Sequence, residues 1–354
     1  MTRTAARAVG AIARNDSMHH CRGWIRRIRY RLEFAAFLVV VTVVRRLPER
    51  CVLWGVELLT ALMVRLPKRW TRGDVVEHNL RAAFGTDLDE TEIDRIRRGM
   101  WRHLFLLVAE VVREVPRLTE ERTVELVRFH RKTDVLQALL SDRPVILVSG
   151  HVGNWELAVA VFGVWGFPMF VVARDLDNPH LDRWFRRYRQ ATGHTMLSKR
   201  HDQQAIVDAV AAGRSIALLG DQDAGLRGIF VDFFGRPAST YKSIALLALQ
   251  FDAVLCVGYA LRLDEPSTAG GPAAPRFEIG CEEVIDPRTI DADDPIHEVT
   301  QRFTSALERV VRRAPDQYFW LHRRWKTRPE DFRKNRKRRR PKGPIGPVSG
   351  TEAA

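Results

Sequence analysis

His151 and Glu156 are the residues whose types and spacing first suggest chemistry, within Pro144–Glu156, PVILVSGHVGNWE. On a continuous helix, residues five apart differ by roughly 140° in azimuth and do not face each other. Here the histidine follows an apolar run that reads as a buried strand, and Glu156 falls in the first turns of the next helix. The intervening Val-Gly-Asn-Trp turn can therefore fold the imidazole back over the carboxylate. A carboxylate that accepts from one ring nitrogen fixes the tautomer and raises the basicity of the other. The pair suits removing the proton from a substrate hydroxyl so that the oxygen attacks an acyl carbonyl. It lacks the second histidine at i+4 that an HExxH zinc site requires. A plainer alternative is a histidine bonded to its own loop and a glutamate at a helix N-terminus, so the surroundings must decide.

Strand and helix signals alternate around this turn. Apolar runs at Val145–Ser149, Pro168–Ala173, Ser215–Leu219 and Ala253–Leu263, with Arg276–Cys281 after a Gly/Pro/Ala loop at Pro266–Pro275, read as strands. Helices are expected over Arg72–Gly85, Glu92–Glu114, Asn154–Trp165, Pro179–Thr192, Gln203–Ala212, Ala238–Gln250 and Pro295–Arg313. That order predicts an α/β fold, a mainly parallel sheet flanked by helices. Polar residues gather just after three strands: His151 after the first, Arg174, Asp175 and Asn178 after the second, Asp221, Gln222 and Asp223 after the third. Sites in open parallel sheets form at those carboxyl ends.

The 354 residues carry a formal net charge of +14, which implies an anionic partner. The basic residues crowd the ends, with eight arginines in residues 1–31 and the run RKNRKRRRPK at 333–342. Phe34–Val44 and Cys51–Leu66 are apolar runs bordered by arginines and aromatics. Both fall short of the ~20 apolar residues a span needs, and no cleavage pattern marks a signal peptide. They are expected to dip into one leaflet as a shallow helical anchor. The cysteines, Cys21, Cys51, Cys256 and Cys281, fit no zinc spacing and are expected to be free thiols.

With these segments in view, the chain resembles the lipid A late-acyltransferase branch (lauroyl and myristoyl transferases) of the lysophospholipid acyltransferase superfamily. The segments are SGHVGNWE, the Arg174 to Asn178-Pro179 stretch, GDQDAGLRGIFVDFFGRPAST, WLHRRWKTRP at 320–329, and HNLRAAFG upstream. The resemblance implies His151 as general base, Glu156 as its orienting carboxylate, and Arg174 and Asp223 as further catalytic residues. It implies substrate contacts from Asn154, Trp155, Asn178, Asp221, Gln222, Gly225, Phe234 and Gly235. Phosphate contacts are expected from Arg323 and Arg324, with Lys326 and Arg328 beside them. Gly228 joins the expected pocket wall.

The implied reaction moves a fatty acyl chain from acyl carrier protein or coenzyme A to a hydroxyl of an anionic glycolipid, most simply a lipid A precursor. It needs no metal or redox cofactor, and would take place at the cytoplasmic face of the inner membrane, on an anionic membrane surface. His151→Ala and Glu156→Ala are each expected to abolish it. Other readings are a phosphatidylinositol mannoside-like, phosphoglycolipid or ornithine-type acceptor, a non-catalytic lipid scaffold, or a nucleic-acid-binding protein. For the last, the basic tail has no readout module before it, so no specific nucleic acid is expected. The expected organisation is a basic, partly disordered lead at 1–33, membrane-associated helices at 34–66, the acyltransferase α/β domain at 67–330, and a basic, disordered tail at 331–354.

Overall fold

The computed structural model describes residues 3–263 and 276–332, with side chains from residue 24. The Gly/Pro/Ala loop and the RKNRKRRRPK tail lie outside the described residues, as does the side chain of Cys21. In chain order, the helical N-terminal part comprises α1 (Arg3–Arg46), α2 (Glu49–Arg65), α3 (Lys68–Thr71), α4 (Gly73–Phe84), α5 (Glu90–Arg113) and α6 (Glu120–Leu126). Then follow β1 (Val127–His130), α7 (Lys132–Leu139), β2 (Val145–Ser149), α8 (Trp155–Val164), β3 (Phe170–Ala173), α9 (Pro179–Gln190), β4 (Thr195–Ser198), α10 (Gln203–Ala211) and β5 (Ile216–Leu219). The chain continues through β6 (Ile229–Phe233), β7 (Arg236–Thr240), α11 (Ser243–Phe251), β8 (Val254–Arg262), β9 (Phe277–Ile285) and α12 (Pro295–Arg313).

Seven strands form one sheet in the order β1-β9-β8-β2-β5-β3-β4, and β6 and β7 form a separate hairpin. Every pairing in the main sheet is parallel except β8 with β9, which matches the mainly parallel sheet expected from the sequence. β2 sits centrally, with Val145, Ile146 and Val148 fully buried. A strand with neighbours on both sides and helices on both faces has nowhere to show a polar side chain, hence its unbroken apolar run.

Several elements differ from expectation. The helix expected from Ala238 begins only at Ser243, because Arg236–Thr240 pairs as β7 with β6. Phe234 and Gly235 make the two-residue hairpin turn, both at positive φ (56° and 67°), the conformation such a turn demands. The strand expected at Arg276–Cys281 runs on to Ile285. β1 and β4, at the two sheet edges, add to the expected set. α1 continues unbroken across residue 33, where a lead was expected to end.

α1 rests on the body at two places. Phe34 and Phe37 pack on the His180, Trp184 and Phe185 rings of α9. Further along, Arg45 donates to the Val112 carbonyl, and Arg113 donates to the carbonyls of Val44 and Leu47. Among the described residues, no helix is long and apolar enough to cross a membrane.

Beneath the central turn lies a buried ion pair. Arg262 on β8 makes two hydrogen bonds to Glu110 of α5, at 2.6 and 2.7 Å. Glu110 also accepts from Asn154 Nδ2 at 2.9 Å. Removing one partner of a buried pair strands the other charge. Glu110→Ala should therefore destabilise the fold by about 3–5 kcal/mol, read as a lowered Tm; an unchanged Tm would contradict this account of the network.

Candidate active site

The register between β2 and β5 builds the site. Ser149 lies opposite Leu219, and Gly220 N donates to the Ser149 carbonyl at 2.8 Å. Two residues further, the same register places His151 beside Asp221. The His151 backbone N–H donates to one oxygen of Asp221 at 2.8 Å, and His151 Nδ1 lies 2.8 Å from the other. Gly150 makes room for this contact, since a Cβ there would stand 3.3 Å from the carboxylate. Facing a carboxylate, Nδ1 carries the proton and Nε2 is left bare toward the cavity.

The turn after His151 is held from below. Gly153 has φ +60°, and a Cβ there would sit 1.9 Å from the Ala260 carbonyl oxygen, so only glycine fits. Asn154 N donates to that oxygen at 2.7 Å. The fully buried Asn154 side chain caps α8 by accepting from Leu157 N at 3.0 Å. The segment after α12 closes over the turn, with Phe319 N donating to the His151 carbonyl at 2.9 Å. Trp155, Phe319 and His322 surround the His151 ring at centroid distances of 5.1, 5.9 and 5.2 Å.

Burial pulls the His151 pKa down. The charge and hydrogen bond of Asp221, with Glu156 as a further contribution, outweigh it and leave the value above the ordinary histidine range. Burial pushes Asp221 up, but the positive imidazolium and the His151 hydrogen bonds hold it at about 2. The buried Tyr318 hydroxyl is pushed well above its usual value, first by burial and then by the Asp221 charge. Burial and the neighbouring His151 charge bring His322 down to about 4.

The carboxylate in contact with the His151 ring is thus Asp221 and not Glu156, correcting the contact expected from spacing. Glu156, in the first turn of α8, makes a two-point ion pair with Arg189 of α9, at 2.6 and 2.9 Å. The turn does not fold the imidazole over Glu156, because β5 presents Asp221 to Nδ1 first.

Other expected contacts also move. Asp223 accepts from Gly225 N and from the Thr327 backbone and hydroxyl, so it braces the C-terminal strap and does not touch His151. Asn178 caps α9 and donates to Tyr30 O and Glu33. Asn154 is walled in. Phe234 is buried in the core under α4 and α12, and its neighbour Gly235 completes the hairpin turn. Gly225, at φ +63°, accepts from the Ser239 hydroxyl, and Gly228 is packed against Ser239 and Thr240. Arg324 is 2 % exposed and donates to Ser239 O and Thr240 Oγ1; it ties strap to hairpin and is closed to a phosphate. Arg323, Lys326 and Arg328 are exposed.

Two pockets meet at this point. A polar one is lined by His151, Trp155, Arg174, Arg186, Lys199 and Gln222 among others. An apolar one lies between the sheet and its helices, with Leu147, Ala158, Phe162, Trp165, Met169 and Ala217 on its walls. Trp155, Glu156 and Arg189 line both. Arg174 stands on the polar rim, its closest ionic partner among the described residues being Asp177 at 3.5 Å. Among the described residues, no cluster of side chains is arranged to hold a metal ion. The arrangement provides a bare ring nitrogen in a cationic basin, beside a tryptophan that the basin shares with an apolar slot.

The profile of the family described as bacterial lipid A biosynthesis acyltransferase matches residues 24–327. A lipid A biosynthesis lauroyltransferase of Escherichia coli is 28% identical over 280 residues, covering 77% of this chain and 84% of that one. A phosphatidylinositol mannoside acyltransferase of Mycolicibacterium smegmatis is 27% identical over 194 residues, 51% of this chain and 60% of that one. Among solved structures, a 1-acyl-sn-glycerophosphate acyltransferase from Thermotoga maritima is similar, with 14% identity and a TM-score of 0.33, covering 71% of this chain and 96% of that one.

Proposed function

From a chain that belongs to the bacterial lipid A biosynthesis acyltransferase family, and is therefore an O-acyltransferase acting on a glycolipid, we propose the following reaction. The enzyme moves a fatty acyl chain from an acyl thioester, on acyl carrier protein or coenzyme A, to a hydroxyl of a lipid A precursor. The observation that carries this reading is the position of His151 Nε2, bare above a histidine–aspartate contact in the polar pocket, with its ring against Trp155, which also lines the apolar pocket. The acyl chain takes the apolar slot. The thioester carbonyl lies at the junction, and the charged groups of donor and acceptor lie among Arg174, Arg186 and Lys199.

In the transfer, His151 Nε2 takes the proton of the acceptor hydroxyl while its oxygen bonds to the carbonyl carbon. Collapse of the tetrahedral intermediate breaks the C–S bond, and the proton passes from His151 to the departing thiolate. Asp221 holds the ring and stabilises the imidazolium between the two steps. The chemistry asks for no metal or redox cofactor.

A membrane face accompanies the site. Trp54 and Trp70 are 70% and 67% exposed, and with Trp24, Leu58 and Leu62 they leave α1 to α3 studded with apolar side chains. Arginines stand among them. That composition suits the headgroup region of an anionic leaflet, with the helices lying in it. α1 lies against α9, whose Phe185, Arg186 and Arg189 line the polar pocket, so a lipid acceptor would approach from the bilayer. The face is assigned to the cytoplasmic side of the inner membrane, where both thioesters are found.

The test is reconstitution. Purified full chain, an acyl thioester and vesicles carrying a lipid A precursor should give a product heavier by one acyl chain. Transfer to a phosphatidylinositol mannoside and not to the lipid A precursor would replace the acceptor. No transfer to either would contradict the reading.

The slot makes a further prediction. Ala158 is half-buried on its wall, and Ala158→Phe should shift preference toward shorter chains. Each methylene denied burial costs about 0.8 kcal/mol, roughly fourfold in kcat/KM. Competition between thioesters of graded length measures it, and an unchanged preference would place the chain elsewhere.

A further inference from the structure

We propose that Gln222 donates a hydrogen bond to the oxyanion of the tetrahedral intermediate, and that His322 is the positioning residue that aims it. The inference rests on the acyl-transfer reading above. Gln222 Nε2 lies 2.8 Å from His322 Nε2 and 3.4 Å from His151 Nε2. The His151 nitrogen is bare because its Nδ1 proton faces Asp221. An amide oxygen placed there would confront that lone pair, so the amide presents its NH2. One hydrogen goes to His322, which is neutral and accepts through Nε2. The other points at the space in front of the base.

That second contact is long for a hydrogen bond, and easily surrendered. The space it spans is where the acceptor hydroxyl must stand. Once the hydroxyl oxygen bonds to the carbonyl carbon, the carbonyl electron pair moves to its own oxygen. Both oxygens are then on one carbon beside His151, and the released N–H of Gln222 is aimed at the negative one. A donor held in place before charge develops is what stabilises such an anion most.

His322 is itself held. Asn79 of α4 donates to the carbonyls of Trp320 and His322, at 2.7 and 2.5 Å. Phe319 N is bonded to His151 O. The strap is thus fixed on both sides of the histidine, and its ring lies against Phe319 at 4.8 Å. This gives the upstream HNLRAAFG segment and the WLHRRWK segment one shared purpose: setting Gln222 relative to His151.

The experiment follows two reactions of the full chain in detergent micelles, acyl transfer to the lipid acceptor and hydrolysis of the acyl thioester by water. Both pass through an oxyanion, but only the first uses the acceptor. Gln222→Ala should lower kcat of both by about 10²-fold, with KM for the thioester little changed. Gln222→Glu, of the same size but anionic, should be at least as poor. His322→Gln, which retains an acceptor for the amide, should keep most activity, whereas His322→Ala should lose it. The double variant Gln222→Ala/His322→Ala should be no slower than Gln222→Ala alone, because His322 acts only through Gln222.

Loss of transfer with hydrolysis intact would make Gln222 an acceptor-binding group and overturn the proposal. Fully multiplicative losses in the double variant would overturn the role of His322. If the wild type catalyses neither reaction, the acyltransferase reading falls and this inference with it. If the wild type is active and Gln222→Ala equals it, only the inference falls.

Discussion

His151→Ala lowers kcat/KM for acyl transfer by about 10²- to 10⁴-fold, the contribution of a positioned general base. The chain stays folded. The ring lines the polar pocket and is not a core side chain. Asp221 keeps its bond from the residue 151 backbone N–H, which the substitution does not remove. The carboxylate loses the imidazolium that helps hold its pKa at about 2, so its pKa rises. Thioester turnover gives the rate, and a melting curve checks the fold. Full activity in His151→Ala would remove the base from the account.

Asp221→Asn has the second largest effect. An asparagine can meet Nδ1 as acceptor or as donor, so it no longer selects the tautomer that leaves Nε2 bare. Where an orienting aspartate holds a catalytic histidine, this change has cost about 10⁴-fold, and a loss of about 10²- to 10⁴-fold is expected here. The pH profile carries a second signature. A base works deprotonated, so activity rises as pH passes through the His151 pKa. In the wild type that rise lies above the ordinary histidine value, because Asp221 outweighs burial. In Asp221→Asn, burial acts with less opposition, and the rise moves to lower pH. Glu156→Gln moves it less, since Glu156 is in contact with Arg189 and the guanidinium offsets its charge at a distance. An acid limb that shifts in Glu156→Gln and stays in Asp221→Asn would return the orienting role to Glu156.

The contrast between these two carboxylates shows where sequence reading stops. β2, β3, β5 and β8 were legible as apolar runs because buried parallel strands have little other composition open to them. The strand ends then marked His151, Asp221 and Gln222 as a group. Which carboxylate faces Nδ1 depends on strand register, and Asp221 is 70 residues from His151. Local spacing made Glu156 the nearer candidate in the chain, but a helix begins between them.

The edge strands β1 (VRFH) and β4 (TMLS) carry too little apolar sequence to stand out. The β6–β7 hairpin turns on Phe-Gly where Asn-Gly would have signalled it. His322 lies in the WLHRRWK segment, whose arginines read from sequence as phosphate ligands. Charge alone could not distinguish the buried Arg324, which fastens the strap, from the exposed Arg323 beside it. The signal that could have found His322 was its place just before two arginines in a segment with no helical or strand period, since an irregular segment dense in aromatics needs a partner to lie on.

The claim on which the rest depends is that Asp221 fixes His151 with its proton on Nδ1 and its Nε2 bare. Nitrogen-15 NMR of histidine-labelled full chain in detergent, with His151→Gln to assign the resonance, tests it most directly. The expected result is a protonated Nδ1 and an unprotonated Nε2 near neutral to alkaline pH, a titration midpoint above that of an ordinary histidine, and loss of both features in Asp221→Asn. A proton on Nε2, or a spectrum unchanged by Asp221→Asn, would contradict it.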